Sequence, residues 1–134
     1  MVEIAITYDG NKKCTLQHQD GAAVRTDAPK DIGGDASAFS PTDLVAAALG
    51  SCIITTMAMF AERHDLDLAG AKVHVGKEMV AEPTRRIGKL PTTVTLPASV
   101  PFDMREALQR VGENCPVVKS INPEIEAAIT FLYE

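Results

Sequence analysis

Alternating apolar and polar residues predict that the chain begins with three short strands. Residues 2–8, 13–18 and 22–26 alternate, and turn-forming residues separate them. Strands joined by short polar turns pair as an antiparallel meander. Residues 27–40 then bring Pro29, Gly33 and Gly34 without any periodicity, which predicts a loop. A loop of that length in a small domain often lines a functional site.

A long helix is predicted next, from residue 41 to about residue 64. Ser40 can cap it, Pro41 is tolerated at its first position, and Asp43 suits its first turn. Residues 44–60 contain no charged side chain. A helix that is apolar nearly all round is expected to be buried nearly all round.

Two kinds of surroundings could bury the apolar surface of this helix, a second protein chain or a membrane. A single small sheet covers one side of a helix, so the other side needs a second surface, which an obligate homodimer supplies. A membrane span is the alternative, yet the uncharged run is shorter than the ~18–20 residues that a bilayer requires and includes Gly50 and Ser51. We therefore expect a homodimer and no membrane partner.

The second half of the chain predicts strands and short helices. Residues 71–82 and 89–96 alternate like two long strands joined by the polar segment 83–88. Residues 102–112 have the spacing of an amphipathic helix, a second helix can start at Cys115, and residues 125–132 close as a strand. Strands, a long helix, strands, short helices and a strand make an α+β fold, and 134 residues suit a single domain, 1–134.

Composition and charge narrow the functional classes. Apolar residues make up 46% and charged residues 23%, as in ordinary globular proteins. The net charge is −5 and the only tight basic group is Arg85-Arg86 with Lys89 nearby, which argues against nucleic acid as a partner. The amino terminus carries Glu3 where a signal peptide is basic, so we expect a cytoplasmic protein.

The candidate chemistry lies in the cysteines. An odd count of three argues against a structural disulfide framework. Cys115, directly before Pro116, can sit at a helix start, where backbone N–H groups stabilise a thiolate. Cys52 lies inside the apolar helix and is inert there unless tertiary structure supplies a cation or hydrogen-bond donor. Cys14, in an alternating strand, is interpreted as packing, and the histidines lack metal-ligand spacing, so no metal site is predicted.

Three motifs together resemble the OsmC/Ohr family of thiol peroxidases. They are Ile32-Gly33-Gly34, the run from Ser40-Pro41-Thr42-Asp43 to Gly50-Ser51-Cys52, and Asn114-Cys115-Pro116-Val117. The resemblance implies an OsmC-like fold, with antiparallel sheets wrapped around a long buried central helix in an intertwined homodimer. It also reverses the local ranking of the thiols, because Cys52 matches the family's peroxidatic cysteine and Cys115 its resolving cysteine.

The function implied by this resemblance is reduction of organic, fatty-acid-type hydroperoxides to alcohols. A Cys52 sulfenic acid and then a Cys52–Cys115 disulfide form, and a dithiol or a lipoylated protein reduces the disulfide. No metal, haem or flavin cofactor is required. The alternative is an OsmC-like binding protein, with weak or no peroxidase activity, that holds a small apolar ligand at the dimer interface. A thioredoxin-like disulfide exchanger ranks last because CxxC is missing.

The chain departs from the family pattern near the helix start. Where the best-defined branch has a glutamate that holds an arginine near the thiol, this chain has Thr42, and its carboxylate comes one residue later, at Asp43. One residue rotates a side chain by about 100° around a helix, so Asp43 need not replace that glutamate. Arg25 and Lys12 are the candidates for the cation that activates Cys52.

Overall fold

The computed structural model describes all residues, 1–134, and these divide into two compact units, Met1–Val45 and Ala46–Glu134. Sheets and a long helix occur together, which confirms the α+β prediction. The predicted single domain, 1–134, stays a prediction.

The first unit begins with the predicted antiparallel meander. Its strands are β1 (Ile4–Gly10), β2 (Lys13–His18) and β3 (Ala23–Thr26), and β2 lies in the middle. Ile6 pairs with Leu16, which pairs with Val24, so these apolar side chains share one face. Ile6 is 62% exposed and Val24 45% exposed. The apolar face of this sheet is therefore accessible to another surface.

The predicted loop, residues 27–40, is anchored by a polar cluster. Asp27 is buried, and its Oδ2 accepts hydrogen bonds from Ser37 N–H at 3.0 Å and from Ser37 Oγ–H at 2.6 Å. The ammonium of Lys13 lies 3.5 Å from the same oxygen and 2.6 Å from Asp35 Oδ2. The Ser37 hydrogen bonds, and then the Lys13 charge, hold the pKa of Asp27 well below its usual range.

Helix α1 (Pro41–Glu62) begins where the sequence predicts, because Ser40 and Asp43 form a capping box. Ser40 N–H donates to Asp43 Oδ2 at 2.9 Å, and Asp43 N–H donates to Ser40 Oγ at 3.1 Å. The helix ends at Glu62, close to the predicted end, and Leu66 N–H then donates to the Ala61 carbonyl at 2.9 Å. Hydrogen bonds local in sequence thus define both ends.

Within the single chain, helix α1 is buried along one side only, so the predicted burial nearly all round stays a prediction that requires a second surface. One stripe is buried, and the opposite side, which includes Ala48 and Met59, is exposed. The physical reason is that one sheet covers only one side of a helix. By length and by a mean hydropathy of 2.0 the helix could cross a bilayer, a test that core helices of soluble proteins also pass. The buried stripe consists of Ala46, Leu49, Gly50, Ile53, Met57 and Ala61.

The two long strands predicted after α1 are wrong. The first is divided into β4 (Lys72–Val75) and β5 (Glu78–Val80). The second is shortened to β7 (Thr92–Leu96), and its first residue ends a separate strand, β6 (Arg86–Lys89), that lies mostly in the segment predicted to join the two strands. Strand β4 pairs with β7 and β5 pairs with β6, in separate sheets. The divisions fall at Gly76 and Pro91, residues that interrupt strands, and Gly76 N–H donates to the Pro91 carbonyl at 2.9 Å.

The rest of the second unit follows the predicted order. Helix α2 spans Phe102–Glu113, α3 spans Pro116–Ser120 and β8 spans Ile129–Tyr133. Strand β8 pairs with β7 in parallel, which differs from the expected antiparallel sheets, because α2 and α3 form a crossover between the two strands. The side chains buried to within 2% include Leu49, Ile53, Met57, Leu90, Val94, Leu96 and Leu108.

Candidate active site

The two predicted catalytic thiols lie next to each other in the second unit. Cys52 is in the middle of α1 and half-buried, whereas Cys115 immediately precedes α3 and is 0% exposed. The Cys52 thiol is among the groups that raise the pKa of the Cys115 thiol, as a hydrogen-bond partner and as a charge. Only one of the two adjacent sulfurs, that of Cys52, is therefore accessible.

A close approach of α2 to α1 brings Cys115 to this position. Gly112 lies at the end of α2, and a Cβ atom there would be 2.8 Å from Met57 Sδ and 3.4 Å from Ile53 Cγ2. Only a glycine lets the two helices pack this closely. The Cys115 N–H then donates to the Gly112 carbonyl at 3.3 Å. Cys115 therefore follows shortly after the residue at which α2 contacts α1.

Burial decides the protonation of Cys115. The structure confirms its predicted place at a helix start, with extended backbone angles of φ −64° and ψ 157°. Burial raises the pKa of its thiol, Cys52 raises it further, and the backbone groups of Val118 and Val117 oppose this only partly. The local expectation that a helix start makes Cys115 the more reactive thiol is therefore wrong, because α3 is short and the sulfur is shielded from water.

Thr56 contacts Cys52 and was not identified from the sequence. Its Oγ1 lies 3.9 Å from Cys52 Sγ, and both side chains are half-buried. The four-residue spacing places the two side chains one above the other on α1, so this spacing was the signal that could have identified Thr56.

The other residues considered from the sequence belong to the first unit. Arg25 lies on β3, exposed and opposite Thr15, and Lys12 is exposed in the turn between β1 and β2. That either cation activates Cys52 stays a prediction. The Asp43 carboxylate serves in the capping box, and Thr42 Oγ1 lies 3.2 Å from Ser40 Oγ.

Two further kinds of site, a metal centre and a cavity, can be considered beside the thiols. No group of three or more His, Cys, Asp and Glu side chains is placed to hold a metal ion. An open cavity of about 350 Å³ lies in the first unit and is lined by residues 36–39 and Asp43.

Comparison with known proteins extends these observations. The family described as OsmC-like protein matches residues 34–130. A solved structure from Psychrobacter arcticus 273-4, of a protein proposed to be an osmotic stress induced and detoxification response protein, is 33% identical. That alignment covers 98% of this chain and 96% of the other, with a TM-score of 0.92. No curated protein matches the chain.

Two further structures share the fold at lower identity. The organic hydroperoxide resistance protein OsmC from Legionella pneumophila is 18% identical, with 98% of this chain and 96% of that chain covered and a TM-score of 0.75. The organic hydroperoxide resistance protein OhrB of Bacillus subtilis is 14% identical, with 98% and 97% covered and a TM-score of 0.71. From the extent of the family match and the 33% identical structure, we conclude that the chain belongs to the OsmC-like protein family.

Proposed function

We propose that the protein is a cytoplasmic, cysteine-based peroxidase that reduces organic hydroperoxides to alcohols. The observation that carries the proposal is the adjacency of Cys52 and Cys115, of which Cys52 is accessible and Cys115 fully buried. A peroxidase of this kind needs an exposed attacking thiol and a second thiol that stays protonated until it is required. Structural relatives named as organic hydroperoxide resistance proteins support the same activity class.

The reaction begins at Cys52. Its thiolate attacks the terminal oxygen of ROOH, so an S–O bond forms while the O–O bond breaks and the alkoxide leaves as an alcohol after protonation. The sulfur is oxidised to sulfenic acid and the peroxide is reduced.

Cys115 completes the cycle. Its sulfur attacks the sulfenic sulfur of Cys52, and its proton leaves with the hydroxyl group as water. The raised pKa of Cys115 keeps it a thiol before this step, so that it does not compete for the first attack. A dithiol, free or as the lipoyl group of a protein, then reduces the disulfide and becomes oxidised itself.

The partner that covers α1 is proposed to be a second copy of this chain. The exposed side of α1 and the apolar face of the first sheet are both apolar surfaces that the single chain leaves accessible. Surfaces of this kind on a folded protein mark interaction sites. Ala48→Glu should lower the fraction of dimer in analytical ultracentrifugation, and a dimer as stable as the wild type contradicts this partner.

Turnover of cumene hydroperoxide with dihydrolipoamide tests the function. Cys52→Ser should abolish turnover, and Cys115→Ser should stop the cycle with a sulfenic acid on Cys52 that dimedone labels. Cys14→Ser is the matched control, because Cys14 belongs to the first unit and should leave the rate unchanged. Full turnover by Cys52→Ser refutes the proposal.

The second candidate function is a binding protein for a small apolar ligand, with weak or no peroxidase activity. It is favoured by the accessible apolar side of α1 near Cys52, which includes Ala48 and Met59. A ligand retained in native mass spectrometry by a protein that consumes no hydroperoxide supports this alternative. A reducible Cys52–Cys115 disulfide that forms on titration with hydroperoxide contradicts it.

A further inference from the structure

The hydroxyl of Thr56 is the polar side-chain group in contact with the Cys52 sulfur on α1. The two atoms lie 3.9 Å apart, a separation that the large radius of sulfur allows for a hydrogen bond. Thr56 follows Cys52 by one helical turn, so the backbone of a continuous helix holds the contact. Thr55, the preceding residue, is exposed and makes no hydrogen bond to the thiol.

The direction of this hydrogen bond depends on the protonation of Cys52. While Cys52 is a thiol, either group can donate. A thiolate has no proton and can only accept, so Thr56 must then donate. Hydrogen bonds to an ionised acceptor are about twice as strong as neutral ones. The contact therefore stabilises the thiolate more than the thiol.

We propose that Thr56 is a further catalytic residue, whose hydroxyl donates to the Cys52 thiolate and stabilises it for attack on the hydroperoxide. This inference rests on the proposed function, since it takes Cys52 as the nucleophile. Thr56 would then supply part of the stabilisation of the Cys52 thiolate. From the sequence alone, we expected that stabilisation to come from a cation elsewhere in the protein.

Alkylation of Cys52 by iodoacetamide, across a pH range in the reduced full-length protein, tests the donation. Mass spectrometry of the Cys52 peptide separates this thiol from Cys14 and Cys115. In Thr56→Val, which keeps the shape and removes the hydroxyl, the pH midpoint of alkylation should rise by roughly half to one pH unit. At pH 7 the rate should fall roughly two- to threefold, because a smaller thiolate fraction outweighs the greater nucleophilicity of a more basic sulfur.

The rate of Cys52 alkylation at high pH distinguishes hydrogen-bond donation by Thr56 from a purely structural role of Thr56. There, both proteins are fully thiolate, and Thr56→Val should react as fast as the wild type or somewhat faster. Thr56→Ser retains the hydroxyl and should retain the wild-type midpoint. Thr55→Val is the matched control, one residue away, and should also leave the midpoint unchanged. An unmoved midpoint in Thr56→Val, or a rate lowered equally at every pH, overturns the role of Thr56.

This test is independent of the peroxidase assay because iodoacetamide replaces the hydroperoxide. Absence of hydroperoxide turnover in the wild-type protein refutes the proposed function by itself. If turnover is present, Thr56→Val should lower its second-order rate at pH 7 by the same roughly two- to threefold factor, and an unchanged rate counts against the catalytic role.

Discussion

Replacing Gly112 by alanine tests whether the close contact of α2 with α1 positions the second thiol. The new Cβ would lie 2.8 Å from Met57 Sδ and 3.1 Å from Met57 Cγ, up to about 1 Å inside ordinary van der Waals contact. Met57 is 0% exposed, so its side chain cannot turn into solvent to make room. The methyl group is therefore accommodated by distorting Met57 or by moving the end of α2.

The size of the effect follows from two opposing contributions. Overpacking of a filled core costs about 1–3 kcal/mol. Alanine returns up to about 1 kcal/mol of helix propensity relative to glycine, and less near a helix end. We expect a net loss of about 1 kcal/mol of unfolding free energy. Because Cys115 follows Gly112 by one turn of chain, an outward shift of α2 should also slow formation of the Cys52–Cys115 disulfide.

A double-mutant cycle with Met57→Ala isolates the steric contact. Met57→Ala alone should lose about 2–5 kcal/mol through the cavity that it leaves. In that background Gly112→Ala should be neutral or stabilising, because the cavity receives the methyl group. Urea unfolding measures both variants, and non-reducing mass spectrometry after one equivalent of hydroperoxide measures the disulfide. Equal effects of Gly112→Ala in the two backgrounds, with an unchanged disulfide rate, refute the reasoning.

Three further predictions concern a buried charge, the burial of α1 and the order in which the two thiols react. The folded-state pKa of Asp27 lies below its unfolded value near 3.8, so its stabilisation is present above about pH 4 and is lost as the pH falls further. Asp27→Asn should therefore lower the melting temperature at pH 7 and flatten its decline between about pH 5 and 2; a wild-type profile contradicts this. Leu49→Asp places a carboxylate at a position that is 0% exposed and should abolish the folded circular dichroism spectrum, whereas Phe102→Asp, at an 86% exposed position, should preserve it. With maleimide at neutral pH, Cys52 should be labelled before Cys115 in peptide mass spectra, because burial shields Cys115 and raises its pKa.

Much of the fold was predictable because its signals are local. The capping box of Ser40 and Asp43 depends on residues three apart, and the meander of β1 to β3 depends on alternation and short turns. The divisions at Gly76 and Pro91 were missed because alternation continues across both residues, while the pairing of β4 with β7 and of β5 with β6 decides where each strand ends. The parallel pairing of β8 likewise depends on a partner far away in the chain.

For the candidate site as well, the features with local sequence signals were predicted and the others were not. The motifs around Cys52 and Cys115 were identified from the sequence, and so was the helix start at Cys115. Outside the site, the polar cluster of Asp27, Ser37 and Lys13 was not identified, because it joins a strand to a loop without any periodic pattern. Thr56 was accessible to sequence reasoning through its spacing from Cys52 but has no distinguishing chemistry of its own.

By itself the sequence determined the long apolar helix, its capped start and the two cysteine motifs, since each depends on neighbouring residues. Only the tertiary structure decided that the Cys115 sulfur is buried against Cys52 and remains a thiol, because both its burial and its neighbour come from the packing of α2 on α1 at Gly112. Tertiary structure also decided which side of α1 the chain covers. A helix that is apolar all round carries no local signal for that choice, which depends on where the sheet and α2 pack.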